Sequence, residues 1–148
     1  MLSEIVAGAS VFDCTQARLT YYGAIADKYI RQMDSFYSDI SVDNYVIMPN
    51  HIHLLICITT NENEMEKCVG LQKSENVNSK ISRFVSTFKR FCNKEYGENI
   101  WQSRFYDHVI RGEKDYREVW EYIENNPAKW LEDKLHPSNF KKTPKVDV

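Results

Sequence analysis

Two histidines stand two positions apart in the segment MPNHIHLLI, Met48–Ile56, and could form part of a metal site. Because alternate side chains of a strand point to the same face, His51 and His53 would lie side by side. With a third ligand from elsewhere in the chain, two imidazoles can hold a divalent ion such as Mg²⁺ or Mn²⁺, whose open positions accept a phosphate oxygen. The alternative is a pair of half-exposed strand histidines without a ligand. The apolar residues on both sides favour a built site.

A second segment whose residues could take part in catalysis is YIENNP, Tyr122–Pro127. Tyr122 and Asn126 are four residues apart, so on a helix they lie one turn above the other, and an asparagine carbonyl oxygen is a competent ligand for a hard metal. A tyrosine would then stand beside a metal. The alternative is that Tyr122 is one more core aromatic and that Asn125 and Asn126 only cap the helix before the proline.

The elements around the first segment follow from the spacing of apolar residues. Apolar side chains at steps of three and four predict an amphipathic helix over residues 21–37. Stretches rich in Val, Ile, Leu and Tyr predict strands over residues 43–48 and 51–58, joined as a β-hairpin or as one bent strand. A small hairpin is predicted over residues 2–20. Residues 61–79 are polar and without clear period, which predicts a loop.

The next helix is basic on its exposed side. Residues 80–94 contain five basic and no acidic residues, an apolar stripe follows the same helical period, and Gly97 ends the helix. Such a face can neutralise phosphates. Its alternative is an ordinary solvated helix face. The DNA-binding candidates are Lys80, Arg83, Arg90, Lys94 and, near the following strand, Arg104.

The C-terminal third is predicted to contain one strand and one helix. A strand is predicted over residues 105–111, and Asp115 is the expected N-cap of a helix that Pro127 interrupts or ends. The buried face of this helix is predicted to contain Tyr116, Val119, Trp120 and Ile123. The stretch from His136 onwards has no hydrophobic period and is predicted to be a loose tail.

Composition excludes several classes of protein. The 148 residues are 43% hydrophobic and 27% charged, which predicts one globular domain with a core of its own. The longest apolar run, Leu54–Ile58, is far too short to span a bilayer, and no signal peptide is visible, so a cytoplasmic protein is expected. Four cysteines without a CxxC pair predict reduced thiols. A net charge of −2 gives no overall nucleic-acid signal, so any basic patch must be local.

Taken together, the two segments resemble the HUH-type single-tyrosine transposases, and within them the REP-associated tyrosine transposases. The resemblance also rests on the run from RFVSTFKRF to WQSRFYDHVIR and covers residues 2–130. It implies an α+β fold over residues 1–135, a ferredoxin-like βαββαβ antiparallel sheet with helices on one face, followed by the tail at 136–148. Family members normally begin with a further strand rich in Phe, Ile, Thr and Cys, and that first strand is missing here.

The resemblance also implies the roles of individual residues. In the family, the two histidines bind the metal, the tyrosine is the nucleophile, and the polar residue four positions later completes the metal site; these roles fall on His51, His53, Tyr122 and Asn126. The implied activity is metal-dependent cleavage and rejoining of single-stranded or hairpin DNA through a 5'-phosphotyrosine, with Mg²⁺ or Mn²⁺ as cofactor, in a monomer or homodimer. Two alternatives stay open: a catalytically inactive protein that binds DNA hairpins, and an unrelated hydrolase using the histidine pair.

Overall fold

The computed structural model describes residues 1–6, 16–59, 77–134 and 136–139. Its elements in chain order are β1 (Ser3–Val6), β2 (Gln16–Leu19), α1 (Tyr21–Phe36), β3 (Ile40–Ile47), β4 (Ile52–Ile58), α2 (Val77–Tyr96) and α3 (Glu113–Asn125), with 3₁₀ helices at Pro127–Glu132 and Pro137–Asn139. In the described residues β1 pairs with β2 and β3 with β4, which gives two small antiparallel sheets. The predicted α+β class is confirmed, whereas the ferredoxin-like arrangement stays a prediction.

The chain divides into two compact units. The first consists of Met1–Ala24, Tyr45–His53 and Ile110–Val148, and the second of Ile25–Asn44 and Leu54–Val109. Each unit is built from segments that are far apart in the sequence. The predicted division into a domain at 1–135 and a tail at 136–148 stays a prediction, and residues 140–148 lie outside the described residues.

In the first unit, the N-terminal hairpin is anchored at its open end. Ser3 pairs with Leu19, and the Leu2 N–H donates a hydrogen bond to the carbonyl oxygen of Pro49 at 2.8 Å. Gly23 lies where any Cβ would collide with the carbonyl oxygen of Leu2, so only glycine fits this close approach. The small hairpin predicted over residues 2–20 is confirmed by its two strands, and its turn lies outside the described residues.

In the second unit, aromatic side chains connect α1 and α2. Tyr29 stacks on Phe91 with ring centroids 5.6 Å apart, and Tyr37 contacts Phe84 at the same centroid distance. The predicted apolar stripe of the basic helix is confirmed, since its buried residues are Phe84, Phe88 and Cys92. The helix predicted over residues 21–37 is confirmed as α1, and Gly97, at φ +76°, ends α2 as predicted.

Several boundaries predicted from the sequence were wrong. Residues 77–79 were assigned to the polar loop but form the first turn of α2. All three are exposed, so no buried stripe marks this turn in the sequence. Strand β3 begins at Ile40, before the predicted start at residue 43, and ends at Ile47, while β4 begins at Ile52, so His51 lies just outside it. Residues 60–76 of the predicted loop lie outside the described residues.

The strand predicted over residues 105–111 is also wrong. This segment has no regular structure, and Phe105, Tyr106 and Val109 are exposed. A strand needs a neighbour to pair its backbone groups, and none of the described strands pairs with this segment. Just before this segment, the Lys89 ammonium group donates to the carbonyl oxygen of Gln102 at 2.6 Å.

Asp115 is not the N-cap of α3. The helix begins at Glu113 after Gly112, which has φ +126°, and Asp115 lies in its first turn. There the Asp115 carboxylate accepts a hydrogen bond from the Arg111 N–H at 3.0 Å. The glycine takes the N-cap position because it adopts this backbone conformation without strain. The predicted end of the helix before Pro127 is confirmed.

None of the helices in the described ranges is both long and apolar enough to cross a bilayer. Cys57 and Cys92 are free thiols, and burial raises the pKa of the Cys92 thiol to about 12. Cys14 and Cys68 lie outside the described residues.

Candidate metal centre and its tyrosine

The turn between β3 and β4 places the two predicted histidines together. The Met48 N–H donates to the carbonyl oxygen of His51 at 2.9 Å, which closes the turn, and His53 is the second residue of β4. The Nε2 atoms of His51 and His53 lie 2.9 Å apart, with their rings edge to face. The side-by-side placement expected from the alternation is therefore what the structure contains.

A carboxylate that the sequence analysis missed joins this pair. The Oδ2 atom of Asp133 lies 3.7 Å from Nε2 of His51, and one donor atom from each of the three residues falls within 4.8 Å of the others. We call His51, His53 and Asp133 the histidine cluster. Asp133 follows the 3₁₀ helix Pro127–Glu132, and no motif or period in the sequence pairs it with the histidines.

Burial sets the protonation state of the cluster. The side chains of His51 and Asp133 are only 13% and 5% exposed. Burial and, to a smaller extent, the neighbouring His53 lower the pKa of His51 to about 4, although Asp133 opposes this shift. Burial also lowers the pKa of His53. Both imidazoles are therefore neutral at pH 7, which is the form that binds metal ions.

Asn50 orients the first histidine. Its Oδ1 atom lies 2.8 Å from Nδ1 of His51. Because an amide oxygen only accepts hydrogen bonds, this contact assigns the imidazole proton to Nδ1 and leaves the lone pair of Nε2 directed at His53 and Asp133. A partner on the far nitrogen is the usual way in which proteins hold a ligating histidine.

Tyr122 lies against the second histidine. Helix α3 places its ring edge to face with His53 at a centroid distance of 5.3 Å, and the side chain is 51% exposed. The Trp130 ring lies 5.9 Å from that of His51, and His136 packs edge-on against Trp130. The predicted nucleophile thus combines contact with the histidine pair and access to solvent.

Asn126, the predicted third ligand, is buried at the end of α3 with 2% of its surface exposed. Its Nδ2 atom has no hydrogen-bond partner among the described residues. Asn125 differs, because its side chain is exposed and donates to the carbonyl oxygen of Glu121 at 2.8 Å. Of the two neighbouring asparagines, only Asn126 is buried.

The residues present fit a divalent cation. Two neutral imidazole nitrogens and one carboxylate oxygen form a donor set that suits first-row divalent metals. Ligands bound at roughly 2.1 Å to one ion lie about 3 to 3.5 Å apart, and the separations of 2.9 and 3.7 Å are close to this range. The cluster therefore has the chemistry and the spacing of a metal centre.

The predicted DNA-binding residues lie in the second unit. Arg83, Arg90 and Lys94 are exposed on α2, and we call these three side chains the basic face. Lys80 is half-buried and makes an ion pair with Asp39, where its hydrogen bond holds the pKa of the Asp39 carboxyl below its usual value. Arg104 is exposed in the segment that Lys89 anchors.

Comparison with known proteins agrees with the geometry. Residues 18–126 match the family described as "Transposase IS200 like". An uncharacterized protein of Haemophilus influenzae is 32% identical over 133 residues, which cover 82% of this chain and 73% of that protein. A REP-associated tyrosine transposase of Escherichia coli is 30% identical over 88 residues, 60% of this chain and 44% of that protein. No solved structure matches the chain significantly. The chain belongs to the IS200-like transposase family, as its motifs predicted.

Proposed function

We propose that this protein cleaves and rejoins single-stranded or hairpin DNA, with Tyr122 as the nucleophile and a divalent metal ion held by His51, His53 and a third ligand. The observation that carries the proposal is the contact between Tyr122 and His53, which puts an accessible phenol beside a candidate metal centre. Membership of a transposase family supports the same activity.

The chemistry follows from the groups at this site. The phenolic oxygen of Tyr122 attacks the phosphorus of a phosphodiester, the bond from phosphorus to the 3'-oxygen breaks, and the proton lost by the phenol ends on that 3'-oxygen. The products are a 5'-phosphotyrosine and a free 3'-hydroxyl. Attack by the 3'-hydroxyl of another strand reverses the step and rejoins DNA without an external energy source, because the phosphotyrosine stores the bond energy.

The chain's own residues position these reactants. His51, His53 and a third ligand would hold a Mg²⁺ or Mn²⁺ ion, and such an ion, when bound, polarises the phosphate oxygens. Residue Asn126 is the third ligand that the family resemblance implies. The rigid helix α3 holds Tyr122 at the edge of His53, so little motion is needed to present the phenol. The basic face, with Lys80 and Arg104, would bind the phosphates of the strand.

Loss of the phenolic oxygen at residue 122 tests the nucleophile. An end-labelled hairpin oligonucleotide is incubated with Mn²⁺ and wild type, Tyr122→Phe or Tyr21→Phe, and resolved on a denaturing gel. We expect a slow-migrating covalent band for wild type and for Tyr21→Phe, and none for Tyr122→Phe. Tyr21 is the matched control because it is an exposed helical tyrosine of the same unit that lies outside the histidine cluster.

Native gels run beside this experiment separate the proposal from its alternatives. Tyr122→Phe should still retard the oligonucleotide, since only the attacking oxygen is lost. Equal amounts of adduct in wild type and Tyr122→Phe would reject Tyr122 as the nucleophile. Retardation without any cleavage would favour the DNA-hairpin-binding protein, and cleavage without an adduct would favour a hydrolase. The placement in the cytoplasm and the choice between monomer and homodimer stay predictions.

A further inference from the structure

We propose that Asp133 is a protein ligand of the divalent cation held by His51 and His53, so that the centre contains two imidazoles and one carboxylate. The inference rests on the proposed function in taking this site to be a metal centre. It goes beyond the family resemblance, which reaches only to residue 130 and assigns the third position to Asn126.

The backbone holds Asp133 firmly in place. Pro127 begins a 3₁₀ helix directly after α3, and the Trp130 ring of this helix lies 5.9 Å from that of His51. The Asp133 N–H then donates to the carbonyl oxygen of Trp130 at 3.1 Å, and the Asp133 carbonyl oxygen accepts from the His136 N–H at 3.0 Å. Both hydrogen bonds restrain the backbone of this residue, which limits where its carboxylate can lie, as a ligating residue requires.

The donor atoms are separated by distances that one shared ion can span. At 3.7 Å, Oδ2 of Asp133 is too far from Nε2 of His51 for a hydrogen bond, while Nε2 of His53 lies 2.9 Å from that of His51. Because Asn50 binds Nδ1 of His51, the lone pair of Nε2 points into the same space as the carboxylate. Three donor atoms therefore converge within 4.8 Å of one another.

The donor set also predicts which ion binds best. Mg²⁺ prefers oxygen ligands and water, whereas imidazole nitrogens favour transition metals. A carboxylate adds the negative charge that an asparagine amide lacks. We therefore expect this centre to bind Mn²⁺ more tightly than Mg²⁺.

Calorimetric titration of the full chain with Mn²⁺, in the absence of DNA, tests the assignment. Asp133→Asn keeps the shape of the side chain and removes its charge, and it should weaken Mn²⁺ binding by more than about 100-fold, beyond the usual effect of losing a supporting group. Glu132→Gln is the matched control, because Glu132 is an exposed neighbour that loses the same charge, and it should bind as wild type does. Wild-type affinity in Asp133→Asn would overturn the proposal.

A second test uses the wild-type chain, so its result does not depend on whether a variant folds. Protein labelled with ¹³C at its aspartate carboxyl carbons is loaded with Mn²⁺ and examined by electron–nuclear double resonance. A carboxylate bound to the ion should give a resolved ¹³C coupling that is absent from the unlabelled protein. Saturated Mn²⁺ binding without this coupling would show that no aspartate is a ligand and would overturn the proposal.

Failure of this inference is distinguishable from failure of the proposed function. If Asp133 proves to be a ligand and no covalent DNA adduct forms, the ligand assignment stands and the nucleophile assignment falls. If the adduct forms with Mn²⁺ and Asp133→Asn binds Mn²⁺ normally, the nucleophile assignment stands and the ligand assignment falls. A wild-type chain that binds no Mn²⁺ would reject both the metal part of the proposed function and this inference.

Discussion

The histidine cluster and the basic face offer different groups to a ligand. The cluster offers the lone pairs of largely buried side chains, whereas the basic face offers exposed positive charges. The cluster is built from a tight turn and a distant C-terminal segment, and its histidines are half-buried and neutral. The basic face lies on the single helix α2, and Arg83, Arg90 and Lys94 are exposed to solvent. One region depends on exact placement by the fold, while the other depends only on helical periodicity and charge.

This difference teaches which kind of interaction each region can support. Buried donor atoms with fixed separations suit one ion of defined coordination, and their interactions are little screened by salt. Exposed cations on a helix suit phosphates along a flexible strand, and these interactions weaken as salt rises. The two regions should therefore fail independently when they are altered.

The largest effect is expected from His53→Ala. Removal of this imidazole takes away one of the paired nitrogens and the ring that contacts Tyr122, so Mn²⁺ binding in calorimetry should be abolished. DNA binding, measured by fluorescence anisotropy with a hairpin oligonucleotide, should stay within about twofold of wild type because the basic face is unchanged. His108→Ala, which alters an exposed histidine outside the cluster, is the control. Normal Mn²⁺ binding by His53→Ala would contradict the assignment of metal binding to the histidine cluster.

The converse experiment removes the charge of the basic face. Replacement of Arg83, Arg90 and Lys94 by glutamine should weaken DNA binding and should lower the slope of log affinity against log salt by about 2, since each contact with single-stranded phosphate contributes roughly 0.7. Mn²⁺ binding should not change. Lys114→Gln, on the exposed side of α3, serves as the control for loss of a surface charge. An unchanged salt slope in the triple variant would assign DNA binding to another surface.

The smallest effect is expected at the ion pair of Lys80 with Asp39. Lys80→Gln should reduce the free energy of unfolding at pH 7 by less than about 1 kcal/mol, because the pair is partly exposed. The pKa of Asp39 is lowered mainly by its hydrogen bond from Lys80, so this stabilisation is present above the ordinary pKa of 3.8 and is lost as the pH falls further. Urea denaturation at pH 7 and pH 2.5 checks this, and an equal effect at both values would contradict it.

Sequence reasoning was most successful where one local pattern carried the information. The stripes of α1 and α2 were visible as steps of three and four, and the two-residue spacing of the histidines indicated their adjacency, although His51 lies just outside β4. It failed at residues 105–111, where none of the described strands pairs with the segment, and at Asp115, where Gly112 precedes the helix instead. Pairing and capping depend on neighbours that a local window does not contain.

By itself, the sequence determined the α+β class, the two central helices, the adjacency of His51 and His53, and the family to which the chain belongs. These properties depend on residue spacing within one element, or on motifs in a fixed order. Only the tertiary structure decided that Asp133 joins the histidines and that Tyr122 lies at the edge of His53. Such contacts join segments far apart in the chain, and their geometry is set by burial and packing rather than by any local period.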